Sequence, residues 1–517
     1  MNETTPVQRD IMNAPFGDTL LNVLASEGRR EHAIIVPDGG PCLTYAELAA
    51  RIGTVAEALR QNGISRGDRV AIVLPNGLEF VTVFLALTWI GAVAAPLNPA
   101  FTEPEHRFYI EDAAARAAVV LPASAAAARA AAASLAVPVW DARLGSDAQV
   151  FVESAQPFRA SPATVEMPRP DDIALFLHTS GTTGRPKAVP LTHRNLMHSV
   201  RTIHATYQLT AADTSLIVMP LFHVHGLLGA ALASLNAGGA IVVPPRFSAR
   251  SFFGHCAQHR VTWYSAVPTI HRTVLQRAAE ENVAATSLRF IRSCSAALAP
   301  ELWTRLETRF AVPVVQAYGM TEASHQMASN RLPPGPRKHG TVGTATGVTI
   351  TIRDERGGVL PAGARGEVVI EGPSVTSGYY DNPQANAAAF FGSCLRTGDE
   401  GVLDGNGFLT LAGRIKEMIN RGGEKISPME VEAVLTAHPA VAEAACFGVP
   451  DPKYGEEVHA AVVLKSEASE RDLLVFCQDH LAPFKAPKRL YIVPDLPHTS
   501  TGKIQRQPLA ARFRTRE

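Results

Sequence analysis

Phe176-Leu177-His178-Thr179-Ser180-Gly181-Thr182-Thr183-Gly184-Arg185-Pro186-Lys187 decides how the rest of the chain is read. A short apolar run at 173–177 predicts a strand, which opens into four hydroxyl residues, two glycines and a lysine. Glycine lets backbone N–H groups approach a phosphate closely, hydroxyls donate to its oxygens, and lysine supplies the opposite charge. A plain Ser/Thr/Gly turn is the bland alternative. The P-loop of nucleoside triphosphatases does not fit. That loop needs G-x-x-x-x-G-K-[ST], whereas Gly184 is followed by Arg185-Pro186 and Lys187 by Ala188, which leaves no hydroxyl placed for Mg²⁺.

Around the loop, β-branched runs alternate with helical patterns. Residues 69–74 read as a strand, 79–90 as a helix and 92–96 as a strand. The alternation predicts βαβ units and parallel sheets, hence an α/β fold. The tract 123–135 is nearly pure alanine, the best helix former, and reads as a surface helix between strands at 118–121 and 137–140. At 517 residues the chain is too long for one core. Gly413-Arg414-Ile415-Lys416 precedes a glycine turn flanked by charge, Asn420-Arg421-Gly422-Gly423-Glu424-Lys425, so a boundary is expected near Gly413, with domains 1–413 and 414–517.

Lys+Arg and Asp+Glu are equal at 48 each, so no net field recommends nucleic acid or an anionic membrane as partner. The six cysteines are scattered without a C-x-x-C, which disfavours a disulfide framework or zinc and fits a reducing compartment. Two long uncharged runs, 80–102 and 214–245, are interrupted, the first by Gly91, Pro96 and Pro99, the second by Pro220, His223 and His225. Neither supplies the ~20 unbroken apolar residues of a membrane span. The first ten residues carry Glu3, Arg9 and Asp10 and no apolar centre, unlike a signal peptide, and Thr515-Arg516-Glu517 is no peroxisomal address. A cytoplasmic location is expected.

Thr179 to Lys187 resembles the signature loop of the adenylate-forming superfamily: acyl-CoA synthetases, peptide-synthetase adenylation domains and firefly-type luciferases. The family's other motifs follow in order over nearly the whole chain. The resemblance implies a large N-terminal domain that binds ATP and a small mobile α+β C-terminal domain turning at 414–416, with Lys416 as pivot. Within the loop it implies nucleotide contacts from Thr179, Ser180, Gly181, Thr182, Thr183, Gly184 and Lys187. Ala317-Tyr318-Gly319-Met320-Thr321-Glu322 resembles the second core motif, in which Tyr318 stacks on adenine, Thr321 bonds the α-phosphate and Glu322 holds Mg²⁺. A carboxylate attacking a phosphate needs such a cation to screen repulsion. Leu395-Arg396-Thr397-Gly398-Asp399 resembles the ribose-binding motif, with Asp399 on the hydroxyls and Arg414 nearby. Ser293-Cys294-Ser295-Ala296-Ala297 corresponds to the wall between adenine and acyl group, narrowed by Cys294 and Ser295. Thr499-Ser500-Thr501-Gly502-Lys503-Ile504 resembles the closing motif, which sends Lys503 to the α-phosphate and the reacting carboxylate.

Arg421-Gly422-Gly423-Glu424-Lys425-Ile426-Ser427-Pro428 looks like the acyl-CoA synthetase form of the small-domain loop. In that family the small domain rotates after adenylation, withdraws Lys503 and brings Gly422 and Gly423 beside the pantetheine of coenzyme A. No carrier-protein domain follows in the chain, which disfavours a peptide-synthetase module. The acid is read from Pro220-Leu221-Phe222-His223-Val224-His225-Gly226, the acyl-pocket helix by resemblance. His223 stands where the family commonly has a His or aromatic gate. His225 stands where ligases of hydrophobic acids place an aromatic or apolar residue, and His325, three residues after Glu322, at another position that lines the acyl pocket. A single histidine is more often a satisfied core group. Two at pocket positions point to imidazoliums holding a second carboxylate, helped by Ser293 or Ser295, because opposite charge favours the protonated ring. A small dicarboxylate is expected. The wording of 220–226, 263–271, 289–296 and 419–428 is similar to oxalate–CoA ligases of plants and fungi. A ligase for malonate or a fatty acid is the nearest alternative. A nucleotide-binding homologue that has lost catalysis is disfavoured by Thr321, Glu322, Asp399, Arg414 and Lys503.

Overall fold

The computed structural model describes residues 17–25, 28–122, 124–154, 166–179, 186–281, 283, 286–499 and 504–514. The expectations for Ser180, Gly181, Thr182, Thr183, Gly184 and Lys503 lie outside these residues.

The first βαβ unit consists of strand Arg69–Val73, helix Leu78–Trp89 and strand Val93–Pro96. The two strands pair in parallel, flanked by Ala117–Val120 and Ile173–Thr179. Their residues are buried on both faces, as strands of a helix-covered parallel sheet must be. Helix Leu78–Trp89 is buried at every position but Glu79 and shares one core with residues of both large sheets, including Ile72, Ile241, Trp263 and Phe290. The alanine tract is a helix over Ala126–Ser134, embedded through Ala128, Ala131 and Ala132 at the i, i+3, i+4 spacing of a single face. Reciprocal capping boxes, Thr44 with Glu47 and Thr192 with Asn195, open the helices Tyr45–Gln61 and His193–Tyr207.

Among the described residues the strands form four sheets. One has seven strands, ending at the hairpin of Ile173–Thr179 with Lys187–Thr192. The second has nine, and its parallel centre includes Thr214–Leu216, Trp263–Ala266, Phe290–Ser293 and Val314–Met320. A third, antiparallel sheet carries Cys394–Leu403 and Leu409–Arg414. The chain then passes through the 3-10 turn Ile415–Glu417 into a five-stranded sheet that begins at Ile419–Arg421 and ends at Arg489–Ile492. Arg414 is the last residue of the third sheet, paired in register with Asp399. Arg506, in the last helix Arg506–Arg514, bonds both Glu432 and Glu417 and ties that helix to the turn. Among the described residues no helix is long and apolar enough to cross a membrane.

Candidate active site

A cleft of about 770 Å³ opens where the parallel strands Phe290–Ser293 and Val314–Met320 end, the usual place for a ligand in an α/β sheet. Ser295, Ala296, Ala317, Tyr318, Gly319, Asp399 and Arg414 line it from the large domain. Ser427, Ile504 and Arg506 line it from the small one. Stretches separated by up to more than a hundred residues, from Ser295 to Arg414, therefore share one wall. Gly422 and Gly423 do not line it. They form the exposed tip of the hairpin Ile419–Arg421 with Glu424–Ile426, both with positive φ.

At one end of the cleft Asp399 is buried and doubly engaged. The Tyr318 hydroxyl donates to its Oδ2, and Arg414 Nε lies 2.8 Å from its Oδ1. Arg414 also donates to the Thr397 carbonyl at 2.9 Å. Burial, the largest influence, works against the charge on Arg414, but Asp399, Tyr318, Glu322 and Glu417 together outweigh it and raise its pKa. Thr321 opens the 3-10 turn Thr321–Ala323, preceded by Met320 in extended backbone. In this turn the Glu322 carboxylate is 6% exposed and accepts from the Tyr379 hydroxyl at 2.9 Å. The ammonium of Lys187 stands 4.4 Å from the centre of the Tyr379 ring. Burial pulls its pKa down, Glu322 counters this, and Lys416 adds to the depression. Lys187 is paired in register with Thr179 across the hairpin that brackets the phosphate loop. Among the described residues no ion pair reaches Glu322, so this buried carboxylate suits a divalent cation.

Behind the cleft wall, joined to it through Ser295, lies a buried polar cluster that the sequence did not disclose. Arg292, on strand Phe290–Ser293, is completely buried. Its guanidinium donates to Tyr207 Oη at 2.7 Å, Ser265 Oγ at 2.8 Å, and His325 Nε2 and Gln326 Oε1 at 3.0 Å each. All four acceptors are neutral, and among the described residues no carboxylate pairs with it. His225 and His325 stack with ring centroids 5.2 Å apart. His225 bonds Ser265 Oγ through Nε2 at 2.7 Å and Ser295 Oγ through Nδ1 at 2.9 Å.

Two expectations are corrected here. The charge expected on His225 is opposed by its surroundings: burial, then His325, Arg292, His271 and His223, push His225 well below the usual imidazole range, and the buried cation beside it is Arg292. The serine that meets His225 is Ser295. Ser293 is fully buried with its hydroxyl unpaired, and strand alternation turns it away from Arg292, to the face of Ile291. Cys294 is likewise fully buried and not part of the cleft wall. His223 precedes the short helix Val224–Gly226 in extended backbone, its ring 4.8 Å from that of Phe222.

The backbone is shaped for this cluster. Helix Val224–Gly226 runs into a π-helical turn, Leu227–Leu232, a form frequent at functional sites. A Cβ on Gly229 would lie 2.4 Å from His325 Nε2, and one on Gly319 would lie 2.0 Å from the His325 carbonyl oxygen. Ser295 at φ 69° and His325 at φ 94° occupy the left-handed region that L side chains avoid, strain of the kind that collects at ligand clamps.

Residues 24–380 match the AMP-binding enzyme family and 430–503 its C-terminal domain. The chain is 47% identical to the oxalate–CoA ligase of Arabidopsis thaliana over 96% of its own length and 99% of that protein. It is 42% identical to the oxalate–CoA ligase of Saccharomyces cerevisiae over 93% and 94%. The ATP-bound crystal structure of MatB from Rhodopseudomonas palustris superposes with a TM-score of 0.86 at 32% identity, covering 96% of this chain and 99% of that one. This chain belongs to the AMP-binding enzyme family and is an AMP-forming acid–CoA ligase.

Proposed function

We propose that the chain converts oxalate, ATP and coenzyme A to oxalyl-CoA, AMP and pyrophosphate. The observation that carries the choice of acid is Arg292, a fully buried cation that has no carboxylate partner among the described residues and is linked to Ser295 of the cleft wall through Ser265 and His225. An unpaired buried charge is costly, and the cost is offset when an anionic ligand arrives. An alkyl or aryl acid gains instead from apolar surface, at ~25 cal/mol per Å², and has no use for a guanidinium and two imidazoles. The names of the two relatives from Arabidopsis and yeast point the same way.

In this reading one carboxylate of oxalate rests against His225, His325 and Ser295 while the other attacks the α-phosphate. Lys503 stabilises the charge that develops there, with Thr321 and the loop Thr179–Lys187 holding the phosphates. His223 gates the acyl pocket. Tyr318, Ala317, Gly319, Met320 and Ala296 receive the adenine side, and Asp399 and Arg414 the ribose. Glu322 would hold Mg²⁺, which when bound supplies the screening that lets one anion approach another. Rotation about Lys416 then exchanges Lys503 for Gly422 and Gly423, and the thiol of coenzyme A displaces AMP.

The test is pyrophosphate release from ATP with oxalate, malonate, acetate and hexanoate, with and without coenzyme A. Oxalate should give the highest kcat/KM. A preference for hexanoate would overturn the assignment of the acid. His225→Phe and His325→Phe should each lower kcat/KM for oxalate by roughly ten- to two-hundred-fold, the scale of one hydrogen bond to a charged group.

A further inference from the structure

Strand Ile173–Thr179 turns successive side chains to opposite faces. Leu175 and Leu177 enter the core shared by the two large sheets, while Phe176 enters a separate core that includes Ile110 of the helix Glu103–Asp112. His178 follows Phe176 onto that face. Its ring meets Phe176 at 5.6 Å, Tyr109 at 4.9 Å and Phe108 at 6.4 Å, each edge-on, and its side chain is 4% exposed.

A phenylalanine would fill such a cage. The imidazole instead brings Nε2 to 3.0 Å from Asp112 Oδ2. Burial pulls the His178 pKa down, and Asp112 counters this without reversing it. The ring is therefore neutral at pH 7, and its Nε2–H donates to the carboxylate. Nδ1 is buried and has no hydrogen-bond partner among the described residues. Asp112 is the last residue of its helix, at the negative end of the helix dipole, where a carboxylate is unfavourable. Each half of the pair thus breaks a local rule: a polar ring in an aromatic cage, and an acid at the wrong end of a helix. Choices that local stability does not recommend collect at functional sites.

The pair grips the base of the phosphate loop. His178 is in register with Ala188, and one step on, Thr179 and Lys187 face each other across the hairpin. The Ala188 carbonyl accepts from the Tyr380 N–H at 2.9 Å. The neighbouring Tyr379 holds the Lys187 ammonium 4.4 Å from its ring centre and donates its hydroxyl to Glu322. The rung before the loop is anchored on one strand to a helix, through His178, and on the other to the segment that carries Tyr379.

We propose that Asp112 and His178 are positioning residues for ATP. Their hydrogen bond fixes where Thr179 and Lys187 leave the sheet, and so sets the affinity for the nucleotide's phosphates without touching them. This rests on the reading of 179–187 as the phosphate loop.

The test is pyrophosphate release by the full chain at varied ATP, with acid and coenzyme A saturating, for Asp112→Leu, Asp112→Asn, His178→Phe and the double variant Asp112→Leu/His178→Phe. Phenylalanine suits the cage, so His178→Phe keeps the packing and loses the bond. Asp112→Leu and His178→Phe should each raise KM for ATP by roughly two- to thirty-fold, with kcat falling less and KM for the acid unchanged. Asp112→Asn keeps an acceptor for Nε2–H and should recover most of the loss. The double variant should be no worse than the worse single one, as for two residues that act as a unit. An unchanged KM for ATP in both single variants, or parallel rises for ATP and acid, overturns the proposal. Lys187→Met separates this from the reading beneath it. If it raises KM for ATP and the pair variants do not, the loop reading stands and the pair serves packing alone. If it too leaves KM unchanged, the loop reading fails and the pair's role fails with it.

Discussion

Gly229→Ala adds one methyl group at the point where the acyl-pocket helix touches the buried cluster. The new Cβ would fall 2.4 Å from His325 Nε2, 2.6 Å from its Cδ2 and 3.3 Å from Arg292 Nη1. Ordinary contact begins near 3.4 Å, so the imidazole has to retreat by about 1 Å. A ring displaced that far leaves its 3.0 Å hydrogen bond to Arg292. Overpacking of this kind costs ~1–3 kcal/mol of stability, and a misplacement of ~1 Å at a reacting site costs about 10²-fold in rate. The expected result is a fall of about 10² in kcat/KM for the acid with KM for ATP unchanged. Pyrophosphate-coupled kinetics and urea denaturation measure the two effects. Gly254→Ala is the control. It lies exposed on helix Ala249–His259 with nothing within 4 Å of the added carbon, and should stabilise that helix by ~0.5–1 kcal/mol. If Gly229→Ala turns over the acid as well as Gly254→Ala does, the close packing of Gly229 on His325 has no bearing on catalysis.

Three further outcomes are expected. Lys503→Ala should lower adenylate formation by about 10²–10³-fold while sparing thioester formation from presynthesised acyl-adenylate; equal loss in both half-reactions removes Lys503 from the first. Lys416→Pro, within the turn Ile415–Glu417, fixes φ and should impair thioester formation more than adenylation, as single-turnover assays of each half will show. His193, buried with its Nδ1 accepting from the Leu20 N–H, has its pKa pushed down from 6.5 to about 4 by burial. Above the unfolded value the ring is neutral in both states. As pH falls below 6.5 the unfolded chain takes up a proton that the folded ring refuses until about 4, so stability is lost on acidification in that window, at ~1.4 kcal/mol per pH unit. Denaturant titrations between pH 7 and 5 should show this slope reduced in His193→Gln.

The grouping of Tyr318, Asp399 and Arg414 was legible because the motifs that carry them are written in contiguous strings. Tyr318 to Glu322 and Thr397 to Asp399 each bring several functional groups in one turn of chain, and the fold brings Tyr318, Asp399 and Arg414 into direct contact. The acyl side was only half legible. His225 and His325 were picked out because histidine is conspicuous among apolar neighbours, but the sequence did not show the complete burial that, with His325 and Arg292 beside it, opposes a charge on His225. Arg292 sits in the plain strand Phe-Ile-Arg-Ser, where arginine is expected to point to solvent. The clue was available in its setting: a charge flanked by Phe290 and Ile291, in a chain that supplies Gly229 and Gly319 to make room opposite. Ser293 and Ser295 were interchangeable on paper. A period of two along the strand, followed by a left-handed residue at Ser295, separates them in space.

The π-helical turn at Leu227–Leu232 holds one residue more than the same stretch of α-helix would need. Each residue of a helix advances the chain by about 100° of rotation. Deleting a single residue there would let the segment relax into a regular α-helix from Val224 to Asn236 with both flanks kept in the same rotational register, because a π-turn takes up its extra residue by widening. His225 would then still face Ser265 and Ser295, while the swollen turn that packs Gly229 on His325 would shrink. Length variation at this point thus changes the width of the wall and leaves its direction alone.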